Sequence, residues 1–147
     1  MRSTIFLLSF SLLFSLGSCG QDFSKLNKSD ENAAKIKIAE DFSSSYFTRL
    51  KGGSYYQFGD EAIEKFKNFF TESNQKVAYQ QIKQQFGDYE SVTYAETWKQ
   101  KGFDNVHIIR LKGKFSKSTK LLEVRVVIDE DSKIAGFWVK PWSDMLM

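Results

Sequence analysis

One histidine and one cysteine occur in this sequence, His107 and Cys19. Each does chemistry only if its neighbours allow it. An imidazole beside a carboxylate has a raised pKa and can serve as a general base. Glu96 is the carboxylate that the strand pattern brings to His107. A thiol reacts as its thiolate, and Cys19 closes a short apolar run through Leu16-Gly17-Ser18. One Cys and one His make no zinc ligand set, so no metal and no other cofactor is expected. Neither a P-loop nor a G-x-S-x-G elbow is present. Asp129-Glu130-Asp131 has half the look of a calcium loop, but no Gly or distant bidentate Glu stands at the required spacing, so it reads as a turn.

The elements that must position these groups emerge from periodicity. Ile36, Ala39, Phe42, Tyr46, Phe47 and Leu50 share one helical stripe, which predicts a helix from Glu31 to Lys51, capped by Asp30 and stopped by Gly52-Gly53. Ile63, Phe66, Phe69 and Phe70 predict a shorter helix over Asp60 to Phe70. A third, capped by Asn74 or Ser73, carries Val77, Ala78, Ile82 and Phe86 and closes at Gly87. Beyond Gly87 the period becomes two. Strands are predicted at Tyr89 to Gln100, Val106 to Phe115, Leu121 to Ile128 and Ile134 to Val139, with Pro141 ending the last. Short polar loops between them imply consecutive antiparallel hairpins. The fold class is therefore α+β, with three N-terminal helices packed on one face of a curved four-stranded antiparallel sheet.

Parity gives a register. If Tyr94 and Trp98 face the helices, so does Glu96; Ile109, Leu111, Phe115 and His107 share a face on the next strand. Closing the hairpin around Lys101-Gly102 sets Tyr94 against Ile109, Val92 against Leu111 and Glu96 against His107. In the next hairpin Phe115 opposes Leu122 and Leu111 opposes Val126. The Glu96–His107 pair reads either as a general-base site or as a hydrogen-bonded pair at the lip of the sheet. The second is favoured, because ion pairs on small folds are usually structural.

The N-terminus reads as an address. Met1-Arg2 is positive, and Ile5 to Leu16 form an apolar run far short of the roughly 20 residues that span a bilayer. Residues 1–18 thus read as a secretory signal. With Leu16, Gly17 and Ser18 directly before Cys19, the segment resembles a bacterial lipoprotein cleavage box. That resemblance implies a diacylglycerol thioether on Cys19, cleavage before it and a further acyl chain on the new amine. Two or more chains anchor stably. Residues 19–29 read as a lipidated tether and 30–147 as a single domain. No aspartate directly succeeds Cys19, which tilts the expectation toward the outer membrane over the inner. A lipidated cysteine leaves no disulfide. The net charge of +3, which falls by one when Arg2 is removed, is too weak an excess to imply nucleic acid as a partner.

The second half of the chain resembles a known pattern. Gln85-Phe86-Gly87-Asp88-Tyr89 ends a helix, and Leu122-Glu123-Val124-Arg125-Val126-Val127-Ile128-Asp129 precedes Lys133-Ile134-Ala135-Gly136-Phe137. Together they are similar to an uncharacterised family of small secreted domains related to nuclear transport factor 2, found alone or ahead of α/β-hydrolases. The resemblance spans about Ala33 to Trp142 and implies a cone with a pocket at its open end. Fold does not give function, and the resemblance carries over no catalytic residues. The family usually has Gly in the last turn, where this chain has Ser132, at some cost in backbone strain.

Tyr46, Tyr55, Tyr56, Trp98 and Trp138 are candidates for lining such a pocket, with Tyr55-Tyr56 at its mouth. Lys112, Lys114, Lys117 and Lys120 read as a solvated edge guarded against aggregation. Trp142, Met145, Leu146 and Met147 either fold back over the core or offer a partner site. The expectation is a bacterial envelope lipoprotein, anchored to the membrane through Cys19, whose cone binds a small molecule, a peptide or an envelope protein without catalysis. A cone-fold enzyme (isomerase, dehydratase or hydrolase) using His107 with Glu96 is the alternative. A purely structural scaffold is the third reading, and a homodimer through the sheet's outer face is compatible with all three.

Overall fold

A computed structural model describes residues 23–27, 29, 32–100 and 106–146. Its elements are β1 (Phe23–Lys25), α1 (Ala33–Lys51), α2 (Glu64–Phe69), α3 (Glu72–Phe86), β2 (Tyr89–Gln100), β3 (His107–Phe115), β4 (Leu122–Ile128) and β5 (Ile134–Pro141). The fold is α+β, and the sheet is antiparallel with strand order β1-β2-β3-β4-β5. It has five strands, not four. Phe23–Lys25, read as tether, pairs with Trp98–Gln100. The alternation of Phe23 and Lys25 around Ser24 is too short to register as a strand by itself.

α1 forms because its apolar residues recur on one face. Ala39, Phe42, Tyr46, Phe47 and Leu50 are buried, and Ile36 packs beside them. Asn32, rather than Asp30, caps it by accepting from Ala34 and Lys35 N–H at 3.1 and 3.2 Å. α2 is shorter than expected. Residues 61–63 stay extended because Ile63 N–H donates to Ile134 O at 3.0 Å and Ile134 N–H to Glu61 O at 2.8 Å. That pairing covers the start of the β5 edge. Thr71 caps α3, accepting from Asn74 N–H at 3.4 Å. The Asn74 side chain instead holds Phe69 O at 2.6 Å. Val77 is exposed, contrary to the expected stripe, and Gln75 and Tyr79 face inward instead.

The core is an aromatic layer between α1 and the sheet. Phe47 stacks on Tyr89 with centroids 4.8 Å apart, Tyr46 meets Phe137 edge-on at 4.9 Å, and Phe42 meets Tyr56 edge-on at 5.1 Å. Gly87 closes α3 with φ 88°, and a Cβ there would meet Ser116 Oγ at 2.4 Å and Lys117 N at 2.7 Å. Ser132 lies at φ 63° in the β4–β5 turn.

Both expected registers are displaced. Tyr94 opposes Leu111 and Val92 opposes Gly113. Leu111 opposes Val124, and Gly113 opposes Leu122. Each hairpin has slipped by two residues, a move that keeps every apolar side chain on its face. In addition, a bulge lies between Tyr94 and Glu96. One extra residue there reverses the parity of the strand beyond it. Glu96 therefore opposes Arg110, Trp98 opposes Ile108, and Lys99 takes the place beside His107.

Candidate functional site

β5 and α3 flank a cleft of about 400 Å³. Buried Tyr46 and Phe70 close it below. Ala78, Ile82 and Phe86 contribute one wall from α3, with Gln81, Gln84 and Gln85 beside them. Phe137, Trp138 and Val139 contribute the other from β5. The glutamines recur at helical spacing beside Ile82, so amides alternate with hydrocarbon along one face of α3. No acid, base or cation lines the cleft. Its titratable group is the Tyr46 phenol, which donates to Gln75 O at 3.5 Å. Burial pushes that phenol's pKa above its ordinary value, so it stays protonated at neutral pH. The arrangement can hold an uncharged molecule with apolar and amide-like parts. It offers no proton-transfer pair.

Two of the five aromatic candidates, Tyr46 and Trp138, line this cleft. Trp138 alternates to the outer face of the sheet opposite Arg125, and its ring occupies the space that a Cβ on Gly136 would need. Tyr56 is elsewhere. It packs on Phe42 and Phe58, and its backbone N–H is held by Gln75 Oε1 at 2.9 Å. Tyr55 is half-buried against the core and does not line the cleft. Trp98 sits on the outer face, donating to Glu96 Oε1 at 2.9 Å. Cys19 lies outside the described residues.

Glu96 and His107 are not partners. Glu96 joins a charge cluster on the outer face, centred on Arg110, which is fully buried. Arg110 Nη1 bonds Glu96 Oε1, and Nη2 bonds Glu123 Oε2 at 2.8 Å and the Ser143 carbonyl. Arg125 Nε bonds the other Glu123 oxygen at 2.6 Å, and Lys25 pairs with Glu96. The Trp142 ring covers the guanidinium with its centroid 4.3 Å away. Trp142 therefore folds onto this cluster and not onto the hydrophobic core, while Met145 stays exposed. Burial by itself would raise both carboxyl pKa values. The hydrogen bonds and charges of Lys25, Trp98 and Arg110 on Glu96, and of Arg110 and Arg125 on Glu123, outweigh it and hold both below the usual range.

His107 does face the helices, opposite Ile128. Its neighbours there are cations. Burial, then Lys35 and Lys99, lower its pKa, the reverse of the expected effect of a carboxylate. Lys35 itself is buried, its ammonium bonded to the carbonyls of Asp129 and, at 3.4 Å, Glu130. The acidic turn thus binds a lysine of its own chain. Among the described residues no group of His, Cys, Asp and Glu is arranged to hold a metal, and no helix is long and apolar enough to cross a membrane.

Sequence reasoning misses the amide side chains of α3 and the Arg110 cluster. Arg110 does leave a signal, as a lone charge inside Ile108-Ile109-Arg110-Leu111, and so does Glu123 between Leu122 and Val124. The glutamines leave none, because they look like an ordinary solvated helix face.

Comparison with protein families matches residues 43–137 to a family described as a protein of unknown function, DUF3887. The matched segment runs from the middle of α1 into β5, and so contains both walls of the cleft except Trp138 and Val139. No curated protein and no solved structure matches the chain.

Proposed function

We propose a binding role for this chain, which belongs to the DUF3887 family of proteins of unknown function: it is a lipid-anchored bacterial envelope protein whose α3–β5 cleft takes up an uncharged, partly apolar ligand. The observation that carries the reading is the lining of the cleft. It combines hydrocarbon, three primary amides and one protonated phenol. Such a surface rewards an uncharged guest, since a charged one would lose hydration without gaining a partner. A site with few polar groups on an apolar wall is the usual build of a ligand pocket.

The catalytic alternative has lost its carboxylate, because Glu96 is bound to Arg110 on the other face. Binding without catalysis is therefore the better reading. The address rests on the N-terminal residues: the signal over residues 1–18 and the acylated Cys19 would tether the protein, with the outer membrane as the expected destination. We also take the domain to be related to the nuclear transport factor 2 cone, on the helix stop at Gly87 and the hairpin through Ile128 and Ile134.

Octanamide, an uncharged amphiphile, is a suitable probe. Titrated into the purified full-length protein, it should move the amide resonances of Ala78, Ile82 and Phe137 saturably. Ala78→Trp, which fills the cleft, should weaken that binding at least ten-fold. Absence of saturable shifts at these residues sinks the cleft as a binding site. Labelling with palmitate tests the anchor, since label should enter the unaltered protein and be absent from Cys19→Ser.

A further inference from the structure

The cleft has one wall made of a strand edge, and the backbone there is unused. In an antiparallel ladder, alternate residues turn both their N–H and C=O toward the neighbouring strand. Trp142 N–H donates to Leu121 O at 3.3 Å, which sets the phase. Counting back along the register, Lys140, Trp138 and Gly136 face β4. Phe137, Val139 and Pro141 turn their backbone groups outward. Pro141 fits this phase, since it has no N–H to offer and needs none there. Ile134 also turns outward, and its groups are taken by Glu61 and Ile63. From Phe137 to Val139 no such cover exists among the described residues, and the cleft lies alongside.

The opposite edge of the sheet is treated differently. Tyr94 N–H is taken by Glu40 Oε1 at 3.1 Å, Tyr89 O by Lys51 Nζ at 3.1 Å, and Thr97 O by Leu26 N–H at 2.9 Å. β1 pairs with Trp98–Gln100. Cover along most of that edge disfavours edge-to-edge association there. The β5 edge keeps two donors and two acceptors in a row, facing a helix across a recess. Strand addition uses this combination: main-chain bonds to the edge supply affinity, and pockets beside it select alternate side chains.

Resting on the proposed role of the cleft, we infer that the ligand is a peptide in extended conformation, which adds to β5 as a sixth strand. Its backbone bonds Phe137 and Val139. Its alternate side chains enter between Ile82 and Phe137 on one side and meet Gln81, Gln84 and Gln85 along the helix. The neutral lining selects uncharged side chains at those positions. At about 3.3 Å per residue, the edge from Phe137 to Pro141 accommodates about four residues of such a strand. An envelope partner's tail or a loop of uncharged residues has this chemistry.

The test uses randomised octapeptides selected on the full-length protein, and then amide hydrogen exchange with a selected peptide. The selected sequences should alternate apolar and polar residues and lack central proline. Bound peptide should slow exchange at Phe137 and Val139 at least ten-fold. Methylating alternate backbone nitrogens of the selected peptide, those that would bond Phe137 and Val139, should weaken it at least ten-fold, whereas methylating the intervening ones should not. The protein itself is unaltered in this comparison, and octanamide binding to it is read separately at Ile82. Octanamide binding without any peptide that protects Phe137 and Val139 overturns the strand reading and leaves the cleft reading intact. Failure of both probes overturns both. Protection that appears without peptide, as protein concentration rises and the protein dimerises, overturns the proposal in favour of a second copy at the edge.

Discussion

Arg110 stands directly across the β2–β3 ladder from Glu96, and its Nη1 is bonded to the Glu96 carboxylate on the face away from the helices. The bulge between Tyr94 and Glu96 creates this pairing. Without it, Glu96 would point to the helix-facing side, away from Arg110. The bulge is held from the other side, since Glu40 of α1 accepts Tyr94 N–H. A helix carboxylate thus helps fix the strand irregularity that delivers a second carboxylate to Arg110.

Removing the guanidinium should expose how much this cluster matters. Arg110→Leu leaves Glu123 fully buried and Glu96 nearly so, each short of one of its countercharges. Breaking a buried pair from one side costs about 3–5 kcal/mol. Replacing Arg110, Glu96 and Glu123 together with leucine should recover most of that, because apolar replacement of a whole buried set is often neutral. Urea denaturation of the single and triple variants measures both. A single-variant loss below about 1 kcal/mol, the range of exposed pairs, would show that the cluster is solvated.

Acid should lower the protein's stability in two stages. His107 titrates lower in the fold than its ordinary 6.5, through burial and the nearby Lys35 and Lys99. The stabilisation of its neutral form is fully present above pH 6.5 and is lost as the pH falls through the depressed folded value. Lys35 and Lys99 are the charged groups that act on it. Glu96 and Glu123 also titrate below their ordinary 4.5. Their contribution is present above that pH and fades only below it. Stability measured by chemical denaturation at successive pH values should therefore fall first below 6.5 and again below 4.5. His107→Gln should flatten the first stage and leave the second. An unchanged first stage in that variant assigns it to another group.

The sequence is legible where structure is local. The α1 stripe is readable because Ala39, Phe42, Tyr46, Phe47 and Leu50 repeat within one helix. The four long strands are readable because β-branched and aromatic residues alternate between polar turns. Whatever depends on a partner is not. The bulge at Ala95 has no glycine or proline to announce it, so parity carried through it assigns Glu96 and Trp98 to the wrong face. A slip of two residues conserves every face, so the hydrophobic pattern cannot choose between the expected register and the observed one. In the cleft, Tyr46 is legible as a pocket residue from its type and position. The glutamines opposite become site residues only when α3 is set beside β5.

Ser132 is the one described non-glycine residue with positive φ, at 63°. The left-handed region costs an L-residue about 1–2 kcal/mol. Glycine removes that strain but makes the unfolded chain more flexible, which takes back part of the gain. Ser132→Gly should thus stabilise the protein by up to about 1 kcal/mol, read as a rise in thermal midpoint. Ser132→Val should act in the opposite direction, since branching at Cβ worsens the clash. If Ser132→Gly destabilises, the serine side chain holds the turn by a contact that outweighs the strain.

Gln75 ties the cleft to the rest of the fold. It is almost wholly buried, at 1 % exposure. Its Oε1 accepts Tyr56 N–H at 2.9 Å, and its Nε2 donates to Tyr56 O and to Phe70 O, each at 2.9 Å. One amide thus closes the backbone polar groups of two segments that share no strand or helix. Phe70 lines the cleft, so the same amide sets the depth of its floor. Gln75→Leu keeps the volume roughly but takes the partner from three backbone groups, one in a buried bond and two in part-buried ones. At about 1–3 kcal/mol for a buried unsatisfied group, and less for the part-buried two, the loss should be about 2–3 kcal/mol. Gln75→Glu should not rescue it, because a carboxylate can accept from Tyr56 but cannot donate to two carbonyls. Both variants should also weaken octanamide binding, through the displaced Phe70. Full stability in Gln75→Leu would mean that water enters and satisfies these groups, and that the floor of the cleft is wet.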